Sequence, residues 1–114
     1  GGWLESRLNM KIWLDDERDP CNPVIQSKFG AKGDEVWVKT SSHAIFLIKT
    51  EQVTHISFDH DLGGDDNGYI VAQEIERLAY EKLINRINWR VHSQNPVGRN
   101  RIRAAMKNAD KYWS

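Results

Sequence analysis

The chain has 114 residues with 16 basic and 16 acidic side chains, so it is long enough for one core and has no net charge to select a partner. A single cysteine excludes an internal disulfide, and no apolar run approaches the ~20 residues of a membrane span. With no secretory signal visible either, the reading is of a soluble cytosolic protein. Charge is uneven along the chain: Asp15 to Asp66 holds 11 acidic and 5 basic residues, and Arg86 to Trp113 holds 7 basic residues and one acidic residue. An acidic front half suits cations, and a basic tail suits phosphates unless it is a solvated helix face.

In chain order, Gly1 to Asn9 reads as a cloning remnant ahead of a native start at Met10, leaving a single domain over residues 10–114. Trp3, Leu4 and Leu8 would otherwise suit a short helix. Lys11 to Leu14 is a short apolar run followed at once by acid, the pattern of a buried strand. Asp19 to Glu35 contains Pro20, Pro23, Gly30 and Gly33 with weak periodicity, which predicts an irregular loop. Val36 to Val38 reads as the second strand. Ser41 or Ser42 then caps a helix that buries Ala44, Ile45, Leu47 and Ile48.

Val53 to Phe58 is the third strand, and Gly63, Gly64 and Gly68 break the loop behind it. Asn67 caps a helix running to about Lys82, with Val71, Ile75, Leu78 and Ala79 at helical spacing. Ile87, Trp89 and Val91 alternate with polar residues, as in an edge strand. Asn95-Pro96 reads as N-cap and first residue of a last helix with Ile102, Ala105, Met106, Ala109 and Trp113 on its apolar stripe. Alternating strands and helices predict an α/β domain with a four-stranded parallel sheet of order 2-1-3-4.

Three strands end in chemistry: Leu14-Asp15-Asp16-Glu17-Arg18, Phe58-Asp59-His60-Asp61-Leu62-Gly63 and Val91-His92-Ser93-Gln94-Asn95-Pro96. Ligands of open α/β sheets bind outside the carboxyl ends of the strands. Asp15, Asp16 and Asp59, with Asp61 beside them, offer the hard oxygen ligands that Mg²⁺ or Mn²⁺ prefer. Surface acids that cap helices or pair with arginines are the plainer alternative. His60 and His92, at the ends of neighbouring strands, suit a shared acid–base role in phosphodiester cleavage, although strand parity turns adjacent side chains to opposite faces. Ser93 and Asn95 suit a phosphoryl oxygen at a helix start, with N-capping as the simpler use of Asn95. Arg99, Arg101 and Arg103 oppose the dipole of their helix unless a phosphate lies there, and Arg18 suits a clamp on the same phosphate. His43, His55 and Cys21 are given no role.

The acid pair after strand one and the aspartate after strand three resemble response-regulator receiver domains. That resemblance implies a truncated receiver-like (flavodoxin-like) three-layer domain, with Asp15 and Asp16 holding Mg²⁺ and Asp59 accepting a phosphoryl group. The chain departs from it in ending after the fourth strand and its helix, without the fifth strand and its lysine, and in a missing or degraded first helix. The three strings together, with Gly68-Tyr69 and Val97-Gly98, more closely resemble the cyclic-phosphate processing receiver domain family, and the likeness covers almost everything from Met10 onward. It implies action on cyclic phosphates at RNA ends or in cyclic nucleotides. Joined to the residues, the expectation is a metal-assisted phosphoesterase. Asp15, Asp16, Asp59 and Asp61 would be metal ligands, and His60, His92 and Asp59 the catalytic groups. Arg18, Ser93, Asn95 and Arg99 would hold the phosphate, with no membrane partner. The alternative is a non-catalytic module for receiver-like signalling or for binding a cyclic nucleotide or a protein.

Overall fold

A computed structural model describes residues 9–114, so the expectation for Gly1 to Leu8 lies outside the described residues. Its elements in order are β1 (Asn9–Leu14), α1 (Pro23–Phe29), β2 (Val36–Val38), α2 (Ser41–Thr50), β3 (Gln52–Phe58), α3 (Gly68–Tyr80), β4 (Asn88–Val91) and α4 (Pro96–Trp113). The four strands form one sheet of order β2-β1-β3-β4, and every pairing is parallel. β1 begins at Asn9, which pairs with Gln52, two residues earlier than the sequence suggests.

One face of the sheet carries the main core. Ile12, Leu14, Ile56 and Phe58 are each at most 1% exposed and pack with Ala44 and Ile48 of α2, Val71, Ile75 and Leu78 of α3, and Ile102 and Met106 of α4. The helices begin where their caps place them. Asn67 Oδ1 accepts from Ile70 N and Asn95 Oδ1 from Gly98 N, each at 3.1 Å, which meets amides that the first helical turn leaves open. The cap of α2 is Thr40, whose side chain accepts from His43 N at 3.2 Å, rather than Ser41 or Ser42.

The opposite face follows a different rule. Parity sends Trp13 and Ser57 to this side, and both are buried outside the main core. The segment expected to be an irregular loop covers them and contains a seven-residue helix. Asn22 caps α1, Pro23 starts it with φ already suited, and Gly30 ends it at φ 84. Those bracketing signals outweigh the weak periodicity between them. Arg90 of β4 pins the helix end by donating to Gly30 O at 2.9 Å and Phe29 O at 2.6 Å. The left-handed turn at Gly30 requires glycine, and a Cβ there would also displace the Arg90 guanidinium, 2.3 Å away at Nη1.

Candidate functional site

The parallel ladder runs one residue past the strands and lines up the site. Asp15 N donates to Val38 O at 3.0 Å, Asp59 N to Leu14 O at 2.8 Å, and His92 N to Phe58 O at 2.9 Å. Leu14 is in register with Phe58, and Phe58 with Val91, so Asp15, Asp59 and His92 occupy one level across three adjacent strands. All three share the parity of Trp13 and Ser57 and project to the α1 side. His60 and Ser93 sit one residue further on, with the opposite parity. The two histidines therefore leave the sheet on different sides.

His92 is built into the structure. Its side chain is 1% exposed and its ring stacks on Trp13, with centroids 3.9 Å apart and planes 4° from parallel. Nε2 lies 3.0 Å from Asp15 Oδ2, and Nδ1 lies 2.8 Å from Ser57 Oγ. An ionised carboxylate only accepts, so Nε2 carries the proton and points it at Asp15. Asp15 is fully buried and accepts four hydrogen bonds: the amides of Glu17 and Arg18 on Oδ1, and His92 Nε2 and Arg18 Nη1 on Oδ2. Burial alone would raise its pKa. The His92 bond, the two amides and the guanidinium outweigh burial and hold it at about 2.

Asp59 goes the other way. Burial and the charge of Asp15 push its carboxyl above the usual range, against the His60 amide on Oδ1 at 2.8 Å and Arg18 Nη1 at 3.4 Å from Oδ2. The Arg18 guanidinium thus spans the two acids, and it lies 4.4 Å over the ring of Phe29, which meets His92 edge-on.

His60 is held differently. Its Nδ1 lies 3.1 Å from Asp61 Oδ1, and Asn95 Nδ2 reaches Asp61 Oδ2 at 3.3 Å. Those bonds lower the Asp61 pKa, Asn95 first and His60 second. Asn95 Nδ2, a donor, also lies 3.4 Å from Nδ1, but the carboxylate at 3.1 Å is the shorter and charged contact; with the proton on Nδ1 facing it, Nε2 is the lone-pair nitrogen of the neutral ring. Nε2 has no hydrogen-bond partner among the described residues and is not sealed from solvent. The ring lies on the first turn of α4, where a Cβ at residue 98 would come within 2.2 Å of His60 Cγ, so Gly98 is the seat of this imidazole.

A cleft of about 470 Å³ opens over these groups. Asp16, Glu17, Asp59 and Asp61 line it together with Arg18, its one cation, and with Ser93 and Asn95. Of the residues expected to bind phosphate, Arg18, Ser93 and Asn95 face the cleft. Arg99 does not line it and instead donates from Nη1 to Ser93 O at 3.4 Å. Neither histidine lines it: His92 stands behind Asp15, and His60 beside Asp61. The direct sharing of acid and base work by two facing imidazoles is therefore not the arrangement these rings adopt. The sequence reading gave no role to Trp13, Ser57 or Phe29, and named Gly98 only as part of a motif. Ser57 was the readable one, a polar residue between Ile56 and Phe58 whose parity matches the site.

The donor set fits a hard divalent cation. Asp15, Asp16 and Asp59 each offer an oxygen, and these atoms all lie within 4.8 Å of one another. An anionic ligand would meet four carboxylates and one guanidinium in the cleft, a balance that a cation would correct. Asp61 stands outside this cluster. The family model described as Cyclic-phosphate processing Receiver domain matches residues 10–108. No curated protein and no solved structure matches the chain.

Proposed function

The chain belongs to the cyclic-phosphate processing receiver domain family, and from that premise we propose that it is a metal-assisted phosphoesterase that opens a cyclic phosphodiester, at a 2′,3′-cyclic RNA end or in a cyclic nucleotide. The observation that supports the reading is a cleft whose carboxylates are grouped for a cation, with Asp61 on its wall holding the His60 imidazole just beside it. Asp15, Asp16 and Asp59 would hold Mg²⁺ or Mn²⁺, which when bound would polarise a phosphoryl oxygen.

Every other part belongs to the chain's own residues. His60 Nε2 takes the proton from a water that attacks phosphorus, one ring P–O bond breaks, and the departing oxygen picks up a proton from solvent, which leaves a phosphomonoester and a free hydroxyl. Asp61 and Asn95 keep His60 in the tautomer that can accept that proton. Arg18, with its planar fork, and the hydroxyl of Ser93 bind the phosphoryl oxygens. His92 is a positioning residue that aims Asp15, and Arg99 supports the Ser93 backbone.

The test is a product screen with cyclic mononucleotides and with RNA ending in a 2′,3′-cyclic phosphate, in Mn²⁺ and in chelator. A phosphomonoester should form only with the metal, and His60→Ala should slow its formation by roughly 10²-fold or more. Absence of product from every cyclic phosphate in the wild type would overturn the reading. A stable mass gain on incubation with a small phosphodonor would favour phosphoryl acceptance at Asp59 instead.

A further inference from the structure

Arg18 stands where a cation would neutralise the acids, and its bonds make the two mutually exclusive at Asp15. A carboxylate offers about four lone-pair positions. Asp15 uses four: two for the backbone amides of Glu17 and Arg18, one for His92 and one for the Arg18 guanidinium. The amides are fixed by the backbone, and His92 is locked between Trp13 and Ser57. Arg18 Nη1 is the donor that can leave. It rides on a flexible stem, its side chain is 24% exposed, and at 3.2 Å and 3.4 Å its bonds to Asp15 and Asp59 are long for charge-assisted ones.

We propose that the Arg18 guanidinium is the resident counter-ion of Asp15 and Asp59 and is exchanged for the divalent cation, so that cation binding releases the cleft's one cationic side chain toward the ligand's phosphate. This rests on the cation site of the preceding reading and adds an order to it: metal first, phosphate second. While Arg18 is paired, Asp15 has no lone pair for a metal, and the apparent metal affinity falls by the fraction of molecules in which Arg18 is seated. Once the cation takes over the charge of the two acids, the guanidinium has no partner there, and a bound phosphate supplies one. By linkage, the metal and the anion then strengthen each other's binding.

The experiment needs only the metal and the intact protein. Mn²⁺ is titrated calorimetrically into wild type, Arg18→Lys and Arg18→Gln. In a parallel NMR experiment, the Arg18 side-chain N–H signals of the wild type are followed while Mg²⁺ is added. Arg18→Gln should bind Mn²⁺ about tenfold more tightly than wild type, with Arg18→Lys between them. Saturating Mg²⁺ should shift the Arg18 N–H signals and speed their exchange with water. Equal or weaker Mn²⁺ binding by Arg18→Gln, or Arg18 signals unmoved at saturation, would overturn the exchange while leaving the cation site standing. No metal binding by any of the three would remove the cation site and the exchange with it. The wild-type NMR reading decides the matter even if one variant folds poorly.

Discussion

His92 exposes 1% of its side chain and has both ring nitrogens engaged, whereas His60 exposes 16% and leaves Nε2 without a partner among the described residues. Each is paired with an aspartate, but Asp15 is fully buried and the Asp61 side chain is 72% exposed. The same pair of residue types therefore does two jobs according to depth. A buried pair is costly to break, because either partner left alone keeps an unmet charge or polar group. An exposed pair is worth little to the fold and exchanges readily with water. The His92 half fixes where the carboxylates stand, and the His60 half is the more accessible of the two, beside the cleft wall at Asp61.

The strongest test of that contrast is to remove each ring. His92→Ala should cost about 3–5 kcal/mol, since it deletes a ring stacked on Trp13 and strips partners from Asp15 and Ser57. His60→Ala should cost about 1 kcal/mol or less while taking most of any turnover with it. Urea unfolding of the two variants measures the difference, and equal losses of stability would erase the distinction between the halves.

The sequence already carried the sheet order, the edge strand and the caps at Asn67 and Asn95, because parallel strands and capped helices leave strong local signals. It also brought Asp15, Asp16 and Asp59 together, since all three follow strands that lie side by side. It left the register open, with only the caution that strand parity turns adjacent side chains apart. Phe58 pairs with Val91, so His92 comes level with Asp59, and His60 is one residue beyond. No local pattern reports a one-residue offset between strands separated by a helix, yet that offset turns the two imidazoles to opposite faces. The covering role of α1 was hidden for a related reason: seven residues are too few for periodicity to show, and its contacts with Arg90 and His92 are distant in sequence.

A finer test leaves both rings in place and moves only the seat of one. Gly98→Ala adds a methyl 2.2 Å from His60 Cγ, so the imidazole must shift. The helix itself gains about 1 kcal/mol from alanine over glycine, which offsets part of the clash, and net stability should change by about 1 kcal/mol or less. The ring contact between His60 and residue 98, read by nuclear Overhauser effects, should weaken, and turnover should fall about as far as in His60→Ala. Full turnover with a displaced ring would show that the His60 half does not depend on its seat.

The smallest expected effect has the opposite sign and belongs to the buried half. Burial and the charge of Asp15 raise the Asp59 pKa, so at neutral pH the folded state pays to keep Asp59 ionised. Asp59→Asn removes that repulsion and should stabilise the metal-free protein by about 1 kcal/mol, measured as a rise in Tm in chelator. The pH dependence follows from the two signs. A raised folded-state pKa means that the penalty is full above it and relieved as pH falls through it, so the advantage of the variant should shrink on acidification and vanish below the ordinary carboxylate range, about 3.9. Asp15 contributes in the other direction. Its folded pKa of about 2 gives stability that is complete above the unfolded value and is lost as pH falls through about 2. Wild-type Tm should therefore rise slightly on mild acidification and then drop steeply between about pH 4 and 2. Asp59→Asn should lose the rise and keep the drop. A variant that keeps the rise would place the strained carboxylate somewhere other than Asp59.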